Sequence, residues 1–222
     1  MINQRAPIAD TETARDFFAR ARARLSLMVP AGLTDPTVPT PRGDLDLDPK
    51  VWENAGVSAN KPAAVLVPIV DHREPTVLLT LRTTELNSHA GQIAFPGGKI
   101  DPQDATPLAA ALREAKEEIG LAPNLVDPLG YLDLYLTFSG FRILPLVALV
   151  DPNYRLTLNQ TEVAEAFEVP LAFLMTPENH LRKTRDWKGI IRHYYEMPYG
   201  DRRIWGVTAG ILRNLYERIY RP

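Results

Sequence analysis

The chain carries no cysteine in 222 residues. That excludes disulfides, thiolate metal sites and a thiol nucleophile, and it fits a reducing compartment. Long apolar runs are also missing. The longest, Ala63–Val70 and Pro145–Val150, fall far short of the roughly 18 residues of a membrane-spanning helix. No apolar stretch near the N-terminus reads as a signal peptide. The Arg-rich segment 14–25 has the amphipathic look of a transit peptide, but Asp10, Glu12 and Asp16 make an ordinary surface helix the better reading. The terminal Tyr-Arg-Pro is not a peroxisomal signal. Nor is there an excess of one charge: the net value is −2, so neither nucleic acid nor a membrane surface is expected as a partner. Internal repeats and low-complexity tracts are absent. A cytoplasmic location is the expectation.

What remains is the composition of a globular protein, 45% hydrophobic and 23% charged, with length for one domain and an extension. Residues 10–28 read as a helix with Phe17, Phe18, Leu25 and Leu27 available for packing. Residues 30–62, rich in proline and aspartate, read as an irregular connector lying over the domain. The division is therefore an N-terminal helix and Pro-rich extension over 1–60, packed on a domain over 61–222. Within the domain, Ala63–Val70 and Val77–Leu81 form a hairpin, and 91–95 a short strand. Leu129–Leu136 pairs with Phe141–Val150, which Pro145 demotes to an edge or bulged strand. A last hairpin joins Ile190–Met197 to Arg203–Trp205. Gly206–Tyr220 closes the chain as a helix with Val207, Ile211, Leu215 and Ile219 at i+4 spacing. Strands interleaved with two or three helices give a mixed-sheet α/β (α+β) sandwich.

The chain is organised around GGKIDPQDATPLAAALREAKEEIGL, residues 97–121. Thr106-Pro107 supplies an N-cap and a first-turn proline, and Gly120 a left-handed C-cap. Between them Glu114, Glu117 and Glu118 fall at i, i+3 and i+4 on one face. Leu108, Leu112, Ala115 and Ile119 form the apolar stripe beside it. Three carboxylates together, near a helix end whose dipole disfavours anions, are a local misfit. An acidic cluster is most often a solvated face. A hard divalent cation that prefers oxygen ligands turns the misfit into a site.

Arg113-Glu114-Ala115-Lys116-Glu117-Glu118-Ile119-Gly120-Leu121 resembles the second half of the signature of the Nudix hydrolases, metal-dependent enzymes that cleave nucleoside diphosphates linked to another group. The first half departs. Counting back from Arg113, its Gly and Glu fall on Lys99 and Ala105; moving the gap by one residue puts Gly98 and Asp104 there instead. Upstream, residues 78–98 resemble the second motif of the coenzyme A pyrophosphatase branch, with Thr83 where Ser is usual and Asn87 where Arg is usual. The likeness spans about residues 60–215. It implies an α/β/α sandwich, a Mg2+ or Mn2+ cofactor, and a CoA-like small-molecule nucleotide substrate. A homodimer is one option for the assembly.

The resemblance also implies roles. Glu114 and Glu118 are the first metal ligands. Glu117 is a further ligand or the acceptor of the water proton, and the Gly98 carbonyl completes the shell. Arg113 orients a glutamate. Glu162 or Glu165, in a loop within reach, is the general base or merely a solvated acid. For substrate, Arg82 binds a phosphate or is a strand-end charge; His89 donates to phosphate or is structural. Gly91, Gln92 and Gly97 shape the substrate loop. The scattered His72, His180 and His193 suggest no zinc site. Trp187, Tyr194, Tyr195 and Trp205 read as core aromatics, with stacking of one of them on adenine as the alternative. The expected reaction is metal-dependent hydrolysis of CoA or its derivatives to 3′,5′-ADP and (acyl-)4′-phosphopantetheine. The alternatives are another Nudix substrate, such as ADP-ribose or NADH, and a non-catalytic nucleotide-binding regulator.

Overall fold

The computed structural model describes residues 11–40, 42–44, 46–47, 61–85, 89–187 and 189–221. Its centre is a pair of ten-residue strands, β2 (Lys61–Val70) and β8 (Phe141–Val150), parallel and in register along their whole length. Both are nearly continuous apolar runs because both faces are covered. The twofold alternation of a strand divides their side chains. Ala64, Leu66, Val70, Leu144, Leu146, Ala148 and Val150 enter one core. Val65, Val67, Ile69, Ile143 and Val147 enter the other.

Around this pair runs a nine-stranded mixed sheet in the order β1-β7-β8-β2-β3-β4, with β5 added to β2, β6 to β8 and β9 to β3. The added ranges are β1 Arg42–Gly43, β3 Thr76–Arg82, β4 Ile93–Ala94, β5 Gly97–Lys99, β6 Val126–Tyr131, β7 Tyr135–Leu136 and β9 Val163–Pro170. Helix α2 (Pro107–Ile119) covers the first core; α1 (Thr11–Arg24) and α4 (Val207–Tyr220) cover the second. The short α3 (Leu171–Leu174) follows β9 directly. A second sheet, β10 (Leu181–Trp187), β11 (Ile190–Tyr199) and β12 (Arg202–Trp205), leads into α4. The expected mixed α/β sandwich is the observed architecture. Among the described residues no helix is long and apolar enough to cross a membrane.

Several expectations are corrected. Phe141–Val150 is the centre of the sheet, not an edge. The Pro145 carbonyl accepts from Leu132 N (2.9 Å). The absent Pro145 N–H points to that same side, into the gap where β6 ends and β7 has not begun, so the β2 ladder loses nothing. The same gap splits the expected strand 129–136 into β6 and β7. The hairpin of β2 and β3 holds together over two residue pairs only, after which β3 joins β9 and β4. The strand expected at 91–95 is confined to Ile93–Ala94. Helix α1 stops at Arg24, and Leu27 is exposed. The connector is less irregular than expected, since Ala31–Leu33 form a 3₁₀ turn and β1 joins the sheet beside β7. Strand β10 has no signal in the sequence, because LRKTRDW carries charge on both faces and no apolar alternation.

Helix α2 has the expected ends. Thr106 Oγ1 accepts from Ala109 N (3.1 Å), and Gly120 takes φ 72° with its N–H on the Lys116 carbonyl. Its buried stripe differs. Pro107, Ala111, Ala115 and Ile119, with Ala110, meet the sheet, while Leu108 and Leu112 are half-buried. Small residues allow the helix to lie close to β2, and the closeness draws the neighbouring acid, Glu118, into the interior.

Arg142, 2% exposed, pins the connector from β8. Its Nε donates to the Gly32 carbonyl and its Nη2 to that of Val38 (2.7 Å). Arg142→Ala removes both bonds and leaves two carbonyls without donors. A loss of about 2–4 kcal/mol is expected, read in urea unfolding, with faster proteolysis within residues 31–40.

Candidate active site

Strand β5 and helix α2 face each other across the start of the signature. Gly97 N donates to Glu118 Oε2 (3.1 Å). Gly98 lies beneath the Glu114 carboxylate, so that a Cβ there would stand 2.5 Å from Oε1. A side chain at this position would displace the acid, so glycine is what lets the backbone and Glu114 approach. The two glycines and two glutamates expected together are thus together, with each acid against its own glycine.

Burial separates the three acids. The Glu118 side chain is 4% exposed, that of Glu114 18% and that of Glu117 56%. Burial pushes the Glu118 carboxyl up to about 7; the neighbouring charges of Glu114 and Glu162 add to this, while Gly97 N–H and Arg82 oppose it. Glu114 is also raised, chiefly by burial, against the pull of Arg113. Glu117 shares the helical face but points to solvent.

Arg113 organises the surroundings. Its Nη1 donates to Glu114 Oε1 and Glu117 Oε2, both at 3.0 Å. Its Nε and Nη2 grip Asp104 Oδ1 and Oδ2, again at 3.0 Å, and Nη2 also reaches the Lys99 carbonyl (3.2 Å). Asp104 is held below the usual carboxylate range by this bidentate partner. The residue that meets Arg113 is therefore Asp104, as the one-residue shift of the signature requires.

Glu162 is positioned from the other end of α2. The Glu118 and Ile119 carbonyls accept from Asn159 N and Thr157 N, each at 2.9 Å, docking the segment 157–162 on the helix terminus. Asn159 Nδ2 donates to Glu162 Oε1 (3.2 Å). Its charge acts on both Glu114 and Glu118. Glu165, paired with it in the expectation, is not in a loop and does not join the cluster. It lies in β9 and is held by Arg202 at 2.9 and 2.6 Å.

The upstream residues converge on a cavity of about 820 Å³ bounded by Arg82, His89, Gln92, Phe95, Gly97 and Gly98. Arg82 Nη1 stands 3.6 Å from Glu118 Oε1, so it is neither remote from the acids nor a free strand end. His89 adopts φ 57° and its Nδ1 meets Gln92 Oε1 at 2.9 Å. Gly91, at φ 66°, makes the turn between them without lining the cavity. The Thr83 hydroxyl is spent on the Thr161 carbonyl (3.3 Å). Asn87 lies outside the described residues. His72 is on Glu168 and His180 on the Leu174 carbonyl, far apart in the fold. Tyr194, Tyr195 and Trp205, which the sequence reads as core, line this cavity with part of α4, and Tyr195 also packs against the core. These aromatics are half-buried, and no local pattern distinguishes lining a cavity from filling a core.

The donor set suits a hard divalent cation: two partly or fully desolvated carboxylates one helical turn apart, beside the glycines of β5. Among the described residues no three acids or histidines stand close enough to form a metal shell alone. Glu114 and Glu118, with the rest of the shell from solvent and phosphate, are what the geometry offers.

The family model described as NUDIX domain matches residues 60–190, more than half of the chain. The uncharacterised Nudix hydrolase NudL of Yersinia pestis (strain Pestoides F) is 41% identical over 162 residues, covering 73% of this chain and 81% of the relative. The protein of that name from Yersinia pseudotuberculosis (serotype O:1b, strain IP 31758) gives the same values. Among solved structures, the M. smegmatis Nudix hydrolase RenU aligns at 22% identity and a TM-score of 0.41, over 49% of this chain and 70% of that one.

The raised Glu118 carboxyl makes stability depend on pH. Its folded value is above its unfolded one, so its contribution is whole below about 4.5 and is lost as pH rises through about 7. In chelator, Glu118→Gln should therefore be more stable than the parent at pH 8, by on the order of 1–3 kcal/mol. The gain should disappear at pH 5. Thermal melts at the two values test this; a variant equally weakened at both would exclude a buried anion.

Proposed function

We propose that this chain, which belongs to the Nudix hydrolase family, hydrolyses the diphosphate bridge of coenzyme A and its derivatives. Pyrophosphate-bond hydrolysis is the activity of the family. The observation that carries the site is the buried Glu118 beside Glu114, each against a glycine of β5, Gly97 and Gly98, at the border of the cavity. The coenzyme A reading rests on residues 78–98, because Arg82, His89, Gln92, Phe95, Gly97 and Gly98 of that motif all line the cavity. A volume of about 820 Å³ also suits a whole nucleotide conjugate.

In this reading Glu114 and Glu118 hold Mg2+ or Mn2+, with the Gly98 carbonyl as a further donor. The cation, when bound, neutralises phosphate oxygens and makes a water more acidic. Arg113 holds the Glu114 carboxylate in one orientation and ties it to Asp104, a positioning role. Glu162 takes the proton from the attacking water; its placement beside both acids, away from Arg113, favours it over Glu117. Arg82 balances Glu118 and directs its remaining donors at the diphosphate. His89 and Gln92 shape the approach, and Gly91 provides the turn that carries them. Products are 3′,5′-ADP and 4′-phosphopantetheine or its acyl form.

Incubation with CoA and Mg2+ or Mn2+, with products weighed by mass spectrometry, should give these two fragments, and chelation should stop the reaction. Much faster turnover of ADP-ribose or NADH would refute the substrate while leaving the site intact. Glu118→Gln and Glu114→Gln should each lower kcat by about 10²–10³-fold, the scale of several kcal/mol of lost charge stabilisation. Glu162→Gln should lower kcat by about 10²–10⁴-fold with KM little changed. A loss of less than about tenfold in a folded variant would reassign the base.

A further inference from the structure

The ladder between β9 and β3 has one irregularity, and it falls beside the acids. Phe167 is opposite Leu79 and Glu165 is opposite Leu81, but Arg82 is opposite Val163, so Ala164 is an extra residue. Directly opposite residues of an antiparallel pair share a face, and faces alternate along a strand. Leu79, Leu81 and Phe167 all pack on the second core, the one under α1 and α4. Uninterrupted alternation would send Val163 there too. The extra residue turns it over, and Val163 enters the first core, under α2. Glu162, the next residue back, thereby stands on the acidic side, where its charge acts on Glu114 and Glu118.

An extra residue in a strand can be lost in two ways: the stretch before it lets go, or the stretch after it slips by one. The stretch before it is docked on α2 through Thr157 N and Asn159 N, and Thr83 N holds the Glu162 carbonyl (3.0 Å). The stretch after it has little side-chain pattern to oppose a slip, because Ala164 and Ala166 fill one face poorly. The small sheet supplies the missing restraint. The two-residue turn Gly200-Asp201, with Gly200 at φ 60°, joins β11 to β12 and presents Arg202 to β9. Arg202 Nη1 and Nη2 donate to Glu165 Oε2 (2.9 Å) and Oε1 (2.6 Å). The same guanidinium lies 3.7 Å from the centre of the Phe167 ring. Glu165 and Phe167, two residues apart on one face, are thus gripped together. After a slip of one residue, Arg202 would meet Ala164 and Ala166. Tyr199, at the other side of the turn, packs its ring on Phe173 beyond the end of β9, with centroids 5.0 Å apart.

We propose that Arg202 is a positioning residue: by clamping Glu165 and Phe167 it fixes the register of β9, retains the extra residue, and so holds Glu162 at the acids. This rests on the role given to Glu162 above and deepens it. One residue of slip is ~3.3 Å along a strand, enough to take a base out of hydrogen-bond reach of a water. A planar fork that is also stacked specifies one register, which a point charge at the same place would not.

The test is Arg202→Gln in the full chain, read by CoA hydrolysis with Mg2+ and by amide hydrogen exchange. The kcat should fall about tenfold with KM little changed, because a displaced base costs rate and not binding. In a Glu162→Gln background the same substitution should cost less than about twofold more, since the group it positions is already gone. Exchange at Thr83 and Val163 should quicken by about tenfold, while amides of the β2–β8 ladder keep their protection. Glu165→Gln should reproduce these effects and takes the place of the first variant if that does not fold. A kcat within about twofold of the parent in a folded variant, or losses that multiply in the double variant, overturns the proposal. If the parent spares CoA, exchange decides: quickening at Thr83 and Val163 keeps the clamp and loses the substrate reading, and unchanged exchange there overturns the clamp.

Discussion

Arg113 is the interaction on which the site's geometry depends. One guanidinium group meets Asp104 in the loop, the Lys99 carbonyl at the end of β5, and Glu114 and Glu117 on the helix. Without that cation, the loop 101–106 would lose its side-chain tie to the acidic face of α2, and Glu114 the partner that holds it over Gly98. The pairing with Asp104 is bidentate, which fixes the plane of the guanidinium as well as its position. An arginine is needed because lysine presents a point charge without that planar fork.

The second constraint is the narrow contact of α2 with the sheet. Alanines at 110, 111 and 115 bring the helix close to β2, where Glu118 is carried into the interior and accepts from Gly97 N–H. A buried carboxylate near two others is costly, and its raised proton affinity expresses that cost. In the proposed reading, function and local stability thus oppose each other at one residue. The helix itself is held by its caps and its apolar stripe, so the acid can be strained without the helix unwinding.

The large sheet and the small one divide the labour. The β2–β8 pair, with the strands added to it, supplies a floor that carries the glycines of β5 and Arg82 at the end of β3. The second sheet and α4 supply the opposite wall. They are tied to the floor by Thr208 Oγ1 on the Ile93 carbonyl (2.9 Å) and by Arg202 on Glu165. Arg202 also lies over the Phe167 ring at 3.7 Å, which joins the sheets by stacking as well as by charge. The cavity between them is therefore lined from both layers, Arg82, Gly97 and Gly98 from the large sheet and Tyr194 and Trp205 from the small one.

Much of this was determined by local sequence. Thr106-Pro107 and Gly120 bound α2, and the 1-4-5 spacing of Glu114, Glu117 and Glu118 puts them on one face. The apolar runs at 63–70 and 141–150 announce strands, though not that both are central. These are short-range matters of dihedral preference and periodicity, which neighbours in sequence control. Tertiary structure alone decided which acid is buried, since that depends on how near the helix lies to β2. It also decided that Pro145 is tolerated at the centre of a sheet, because the gap between β6 and β7 falls opposite it. The charged strand β10, and a cavity wall built from Tyr194 and Trp205, were invisible for the same reason. A residue facing a cavity and one facing a core carry the same apolar character, and only the element packed across from them tells the two apart.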